Sequence, residues 1–275
     1  MTLVRPVRTL SVSVTGTECA LRCAHCGGHY LKGMIPPDRA ERILLHGCDG
    51  KGYRSVLVSG GCDAAGRVPL VGHLPFLKRL KRAGLRVNLH VGLIPDEDMV
   101  ALAAYADAVS CDLVGDDDTV REVYGIEASA EDYMRTYAMV AARVRAVPHV
   151  CVGIRGGRLS GERKALYYLA GLQESHHVPQ ITFIVFTPTR GTAFENRLPP
   201  GPDEVADIIA WARRLFPSTR LALGCMRPGG TYRSHLDSLA VEAGIDLIVN
   251  PAGTAREAAA LKGMEVVEGE ECCSL

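Results

Sequence analysis

Residues 9–28 read TLSVSVTGTECALRCAHCGG, a short β-prone run followed at once by three cysteines. Cys19, Cys23 and Cys26 have the spacing CxxxCxxC on the loop that leaves this predicted strand. Three thiolates on one loop can bind three irons of a cubane cluster and leave the fourth iron open. A zinc ribbon would show two CxxC pairs, and the sequence contains one. We therefore predict an open-site iron–sulfur cluster here, with ordinary buried cysteines as the alternative.

Strand-like and helix-like segments alternate along the whole chain. The predicted strands are 9–15, 55–59, 85–91, 108–113, 150–154, 180–186, 220–224 and 245–249. The predicted helices are 38–45, 75–82, 95–106, 130–145, 160–173, 202–215, 232–243 and 254–261. Parallel strands need helical crossovers, so eight such units predict a (βα)₈ barrel of the TIM type over residues 1–263. Residues 264–275 form a short C-terminal extension, and a doubly wound open sheet is the alternative fold.

Composition narrows the classes of function. The 275 residues are 47% hydrophobic, which excludes a mainly disordered chain. The 31 basic and 31 acidic residues cancel, which disfavours a general nucleic-acid binder. Neither a membrane-length apolar run nor a secretory signal core is visible, so we expect a cytoplasmic protein. Ten cysteines in such a protein indicate metal or redox chemistry rather than disulfides.

The cysteine loop after the first predicted barrel strand resembles that of the radical S-adenosylmethionine (SAM) enzymes. The resemblance implies that Cys19, Cys23 and Cys26 hold a [4Fe-4S] cluster whose open iron binds the amino and carboxylate groups of SAM. It implies reductive cleavage of SAM to a 5′-deoxyadenosyl radical. It also implies a position beside the adenine for His25, which precedes the third cysteine.

Glycine segments at predicted strand ends extend this resemblance. Gly60 and Gly61 are similar to the family segment whose backbone meets the methionine amino group, although Cys62 stands where that family commonly has Glu. Gly153 begins a segment, GIRGG, that is similar to the family's adenine- and SAM-contacting glycine motif. The resemblance therefore implies cofactor-binding roles for these three glycines.

Two side chains and one further segment complete the predicted SAM site. Arg155 is expected to pair with the SAM carboxylate, because a guanidinium fork matches carboxylate geometry. Asp112, at the end of the fourth predicted strand, is expected to accept hydrogen bonds from the ribose hydroxyls. Residues 187–192, TPTRGT, resemble the Pro-x-x-Gly-Thr segment of biotin-synthase-like members.

The remaining cysteines suggest a second metal centre. Cys62 and Cys225 each follow a predicted strand beside glycine, which predicts a place at the barrel mouth. Cys272 and Cys273 lie about nine residues beyond the last helix, a reach of about 30 Å, so the tail is long enough to climb to the mouth. We predict an auxiliary [4Fe-4S] cluster on these four thiols, with a mobile reactive tail as the alternative. Ordinary packing is expected for Cys48, Cys111 and Cys151.

Three stretches sharpen the resemblance to sulfur-inserting members. Residues 26–34, residues 224–228 and the terminal Cys-Cys-Ser-Leu are similar to subunits of the two-protein lipoyl synthases. This resemblance implies thiolation of an octanoyl chain, with the auxiliary cluster as the sulfur source. The implied partners are an octanoylated carrier (glycine cleavage H protein or a lipoyl domain), a second radical SAM chain and a reductant such as ferredoxin. No nucleic-acid or membrane partner is expected.

Several polar residues are candidates for contact with the substrate, and two other functions compete with sulfur insertion. An apolar barrel interior is expected to admit the acyl chain and exclude water. The candidate substrate-side residues are His29, Tyr30, His73, His90 and Arg227, of which His90 is the strongest. One alternative is a single-cluster radical SAM enzyme for cofactor assembly or rearrangement. A non-enzymatic alternative is an iron–sulfur electron carrier or a zinc-binding module.

Overall fold

The computed structural model describes residues 1–46, 50, 52–173 and 176–275. Ten strands form one sheet, and every neighbouring pair is parallel. The order across the sheet is β10-β1-β9-β8-β7-β6-β5-β4-β3-β2. The strands are β1 (Thr2–Val4), β2 (Thr9–Ser13), β3 (Ser55–Ser59), β4 (Arg86–His90), β5 (Ala108–Asp112), β6 (Ala146–Val152), β7 (Gln180–Val185), β8 (Arg220–Leu223), β9 (Leu247–Val249) and β10 (Val267–Gly269).

Helices cover the outer face of this sheet. They are α1 (Pro37–His46), α2 (Leu74–Arg82), α3 (Asp96–Leu102), α4 (Asp117–Thr119), α5 (Ala130–Ala141), α6 (Glu162–Leu172), α7 (Pro202–Leu215), α8 (Gly230–Glu242) and α9 (Gly253–Leu261). A π-helical turn, Val120–Tyr124, continues α4. The Ser129 hydroxyl accepts from the Asp132 N–H and the Asp132 carboxylate accepts from the Ser129 N–H, so a capping box starts α5.

Consecutive strands from β2 to β9 are direct neighbours, which is the order of a barrel and not of a doubly wound sheet. The predicted TIM-type fold is therefore confirmed, although it is built from ten strands. The edge strands are β10 and β2, and residues in or next to them are joined by individual hydrogen bonds. Arg8 N–H donates to the Glu270 carbonyl (2.8 Å), and Cys272 N–H donates to Thr9 Oγ1 (2.7 Å).

The core lies between the strands and the helices. Val56 and Val58 of β3 are fully buried in this layer. The opposite face of the strands lines the barrel interior, called the lumen below, and it is rich in polar side chains. The buried polar residues on strands are Ser13, Ser55, Ser59, Asn88, Ser110, Gln180 and Thr182. The expectation of an apolar interior is therefore wrong, because alternate strand positions carry hydroxyl and amide groups that bond to one another and to the C-terminus.

None of the helices in the described part of the chain combines the length and the apolar character that a membrane crossing requires.

Candidate functional site

The loop carrying Cys19, Cys23 and Cys26 follows β2 at the carboxyl edge of the sheet. Cys26 N–H donates to the Cys23 carbonyl (3.0 Å), and Gly28 N–H donates to Cys26 Sγ (3.3 Å). Gly27 and Gly28 have positive φ values of 51° and 77°, which glycine adopts without strain. The loop therefore folds back on itself, with a backbone donor aimed at one of the sulfurs.

The glycine segment after β3 packs directly on this loop. A Cβ on Gly61 would lie 2.6 Å from Cys19 Cβ, a distance that real side chains do not tolerate. Gly61 N–H donates to Thr15 Oγ1 (2.7 Å), and Ala20 N–H donates to the Cys62 carbonyl (2.8 Å). Gly61 therefore lets the second strand end approach the cysteine loop.

Two more segments support the loop from the other side. Ala24 N–H donates to the Val123 carbonyl in the π-helical turn (2.8 Å), and Phe194 N–H donates to the Ala24 carbonyl (3.1 Å). His25 packs edge-on against Tyr124, with ring centroids 5.9 Å apart. Burial lowers the pKa of His25 to about 4, so the imidazole is neutral at pH 7.

Burial and mutual proximity disfavour ionisation of the thiols at this loop. Burial raises the pKa of Cys23, and the neighbouring Cys26, Cys19 and Cys62 raise it further. Burial and Cys19 raise the pKa of Cys62 to about 12. Several thiolates together are stable only when a cationic centre compensates them, as a bound iron–sulfur cluster would.

Cys62 lies with the N-terminal cysteines and not with Cys225. The electrostatic neighbours of Cys62 include Cys19 and Cys26, whereas those of Cys225 include Cys272. The four-thiol auxiliary set predicted from the sequence is therefore divided between two places. Cys62 follows β3, which is the neighbour of β2, so it lies over the cysteine loop that follows β2. Cys225 follows β8, which is several strands away from β2 in the sheet.

Cys225 lies on a rim loop that a buried ion pair fixes. Arg227 and Asp237 have no exposed side-chain surface and are joined by two contacts, Nε–Oδ1 at 2.8 Å and Nη2–Oδ2 at 2.9 Å. Arg227 Nη1 also donates to the carbonyls of Gly224 (2.7 Å) and Val249 (2.8 Å). The prediction that Arg227 contacts substrate is therefore wrong, because all of its guanidinium nitrogens are used inside the protein.

The C-terminal segment enters the lumen from the end at which the strands begin. Gln180, the first residue of β7, donates from Nε2 to the Cys273 carbonyl (3.0 Å). Ser274 is fully buried, and its hydroxyl lies 3.1 Å from Ser110 Oγ. After β10 has paired with β1, the tail passes into the lumen, where Cys272 lies beside Asn88 in the middle of β4.

The two tail thiols lie within electrostatic range of Cys225, which keeps part of its surface exposed on the loop after β8. Burial and the neighbouring Cys272 raise the pKa of Cys225, and Cys225 acts on Cys273 in the same way. Hydrogen bonds from Cys273, the Ser274 backbone and the Asn88 amide lower the pKa of Cys272. Asn88 Nδ2 lies 3.5 Å from Cys272 Sγ. Cys225, Cys272 and Cys273 therefore influence one another electrostatically, apart from the cysteines of the first loop.

Asp112 and Arg155, both predicted to contact SAM, have different surroundings. Asp112 faces the lumen beside His90, with Oδ1 and Nε2 3.4 Å apart. Arg155 contacts Glu122 and Asp118, with Nε 2.7 Å from Glu122 Oε2. The carboxylate role of Arg155 stays a prediction that requires this ion pair to exchange.

Gly153 has φ 70°, and a Cβ there would lie 2.8 Å from the Pro200 ring. Its N–H donates to Glu162 Oε1 (2.8 Å), a buried carboxylate at the start of α6. Burial raises the pKa of Glu162. Glu162 is not among the residues predicted from the sequence, although a glutamate in the first turn of a helix after a glycine segment is a signal that could have indicated it.

The other cysteines differ in setting. Cys111 is buried in the core, as expected, and Cys151 is half-buried beside His149. Cys48 lies outside the described residues.

A groove of about 390 Å³ opens beside Cys225. Its walls include Tyr30, Pro188 and Met226. The Tyr30 hydroxyl lies 2.8 Å from Thr189 Oγ1, which ties the segment after the third cysteine to the loop after β7. The groove therefore lies between the segment after the third cysteine and the rim loop that carries Cys225.

The donor chemistry of both thiol groups fits iron–sulfur clusters. Three thiolates on one loop can bind three irons of a cubane, and Cys19, Cys23 and Cys26 offer such a set.

Neither a protein-family model nor a curated protein matches this sequence. The fold is similar to methylornithine synthase, with a TM-score of 0.67 and 14% identity over 94% of this chain and 82% of that one. It is similar to the FeFe-hydrogenase maturase HydG from Carboxydothermus hydrogenoformans, with a TM-score of 0.70 and 14% identity over 97% and 67% of the chains. For Streptococcus suis SuiB the TM-score is 0.58, with 12% identity over 91% and 51%. These neighbours are radical SAM enzymes, and the chain has their fold.

Proposed function

We propose that the protein is a radical SAM enzyme that inserts sulfur into a protein-bound octanoyl chain. The observation that carries the radical SAM part is the loop of Cys19, Cys23 and Cys26, with the Gly61 backbone pressed against it. A bound cluster would supply the electron that cleaves SAM into methionine and a 5′-deoxyadenosyl radical. The fold shared with radical SAM enzymes supports this assignment.

The chain's own residues would hold and shield the reactants. Gly60 and Gly61 have no side chains, so their backbone beside the cysteine loop would be accessible to a small amino group. The π-helical turn and the Phe194 segment cover the loop from outside, which limits access of water. These are positioning roles that require no further cofactor.

The sulfur-insertion part rests on Cys225, Cys272 and Cys273, which influence one another electrostatically. These residues would hold the auxiliary cluster, with Ser274 buried beside the thiols. The groove walled by Tyr30, Pro188 and Met226 ends at Cys225 and would admit an extended acyl chain. In each turnover the 5′-deoxyadenosyl radical would take one hydrogen atom from a substrate C–H bond and become 5′-deoxyadenosine. The auxiliary cluster would supply the sulfide for the new C–S bond, and its irons would take up the one electron released when that bond forms. A second radical SAM chain would install the other sulfur.

The decisive experiment incubates the anaerobically reconstituted protein with SAM, a low-potential reductant and an octanoylated lipoyl domain. Formation of 5′-deoxyadenosine supports the radical SAM assignment, and a mass gain of one sulfur on the lipoyl domain supports sulfur insertion. Abundant 5′-deoxyadenosine without a mass change would reject the octanoyl substrate. Absence of 5′-deoxyadenosine would reject the whole proposal.

Iron counting separates the two thiol groups. About eight irons per chain are expected for two cubanes. Cys225→Ala should lower the count by about four, whereas Cys62→Ala is the matched control that should leave the auxiliary cluster in place. Equal iron contents in Cys225→Ala and wild type would remove Cys225 from the ligand set.

A second candidate is a single-cluster radical SAM enzyme that acts on a polar substrate. The polar lumen favours it, since Asn88, Ser110 and Thr182 are poor neighbours for an alkyl chain. About four irons per chain and an unmodified lipoyl domain would support this candidate.

A further inference from the structure

A compact group of three metal-binding side chains lies on adjacent strands of the barrel. His90 ends β4, Asp112 ends β5 and His149 lies in the middle of β6. One ligand atom of each residue lies within 4.8 Å of the other two. The His90 and His149 rings are 5.7 Å apart, and His90 Nε2 lies 3.4 Å from Asp112 Oδ1. Among the described residues, this is the one group of three His, Cys, Asp or Glu side chains that is so close.

The hydrogen bonds of this group are incomplete. The Nε2 atom of His149 is buried and has no hydrogen-bond partner among the described residues, and that of His90 faces only the Asp112 carboxylate, at 3.4 Å. A buried polar atom without a partner costs about 1–3 kcal/mol, so the orphaned His149 nitrogen needs an explanation. A shared cation would satisfy both nitrogens and the carboxylate at once.

The geometry points to a mononuclear site for a divalent first-row transition metal, with Fe²⁺ as the occupant and His90, Asp112 and His149 as the ligands. Two imidazoles and one carboxylate on one side of an ion are the ligand set of non-haem ferrous sites, and they leave positions open. Ca²⁺ and Mg²⁺ prefer oxygen donors alone, which disfavours them here. The assignment removes Asp112 from the ribose role predicted from the sequence.

Titration with Mn²⁺ tests the site in the cluster-loaded protein. Manganese is the probe because it takes nitrogen and oxygen donors and binds thiolates weakly, and its free ion is counted by electron paramagnetic resonance. We expect one Mn²⁺ per chain. His149→Gln and Asp112→Asn should each weaken binding by at least about tenfold. The matched control is His235→Gln, which changes an exposed histidine on α8 and should bind like wild type.

Competition identifies the metal class. Fe²⁺ should displace the bound Mn²⁺, because affinities rise from Mn²⁺ to Fe²⁺ at such sites. Displacement by Mg²⁺ at equal concentration would overturn the assignment. Absence of Mn²⁺ binding in folded wild-type protein with its cysteine-bound iron intact would also overturn it. If folded His149→Gln bound Mn²⁺ with wild-type affinity, the assignment would also be overturned, because His149 would then have only a structural role. Each readout is independent of SAM cleavage, so failure of the proposed function and failure of this site are distinguishable.

Discussion

Gly61 leaves no room for a side chain beside the cysteine loop. A methyl group there would lie 2.6 Å from Cys19 Cβ, and Cys19 is held in place by its loop. We expect Gly61→Ala to displace the cysteine loop and to lower 5′-deoxyadenosine formation at least about tenfold, because a small misplacement of reacting groups has a large effect on rate. The measurement is 5′-deoxyadenosine yield together with iron content.

The matched control for this change is Gly72→Ala, a glycine with open space around its Cβ position. It should keep the wild-type iron content and activity. Wild-type activity in Gly61→Ala would mean that the close approach of the two loops is unimportant.

The three loop cysteines could be singled out from their spacing, because they lie within eight residues of one another, and their role as cluster ligands stays a prediction. The partners of the other thiols could not. Cys62 and Cys225 both follow strands beside glycine, yet one lies with Cys19 and the other with Cys272. That difference depends on which strands are neighbours around the barrel, and residue patterns do not contain it.

At the scale of elements, the loop after β8 depends on α8 through the Arg227–Asp237 pair. Removing one partner of a buried ion pair leaves an uncompensated charge. Asp237 also accepts from the Ala252 N–H (2.8 Å), so it joins α8 to the end of β9. We expect Asp237→Ala to lower the free energy of unfolding by about 3–5 kcal/mol, measured by urea denaturation of the cluster-free protein.

The comparison variant is Glu131→Ala, which breaks an exposed ion pair with Arg135 on α5. Its expected loss is below about 0.5 kcal/mol. A loss of similar size in both variants would show that the buried pair does not hold the rim loop.

Most elements could be predicted because apolar runs and helix-start residues are local signals. The strand of residues 55–59 was placed correctly, and the helix of 202–215 was too. The prediction missed β1 and β10, since three-residue strands have too little pattern to be recognised. It also started β6 late, at residue 150, whereas the strand begins at Ala146. His149 was missed as a lumen residue because it precedes the predicted strand.

At the scale of the whole molecule, the lumen is polar where an apolar one was expected. Continuous apolar composition along the strands suggested two covered faces, but the inward positions of several strands carry Ser, Thr, Asn or Gln. These groups bond to the C-terminal segment, which is distant in sequence by up to 263 residues. Only the closed fold shows that the end of the chain fills the base of the barrel.

The C-terminal segment is therefore expected to contribute to the stability of the entire barrel. Deleting residues 271–275 removes the contacts to Thr9, Ser110 and Gln180 and leaves polar groups in the lumen without these partners. A loss of about 2–3 kcal/mol corresponds to a fall in Tm of about 5–10 °C for a chain of this size. Calorimetry of the cluster-free protein measures it, and deletion of Leu275 alone, which leaves those three contacts in place, is the control. The same deletion should lower the iron count by about four, since Cys272 and Cys273 leave with the segment. An unchanged Tm would show that the segment does not stabilise the barrel, and an unchanged iron count would remove both thiols from the auxiliary site.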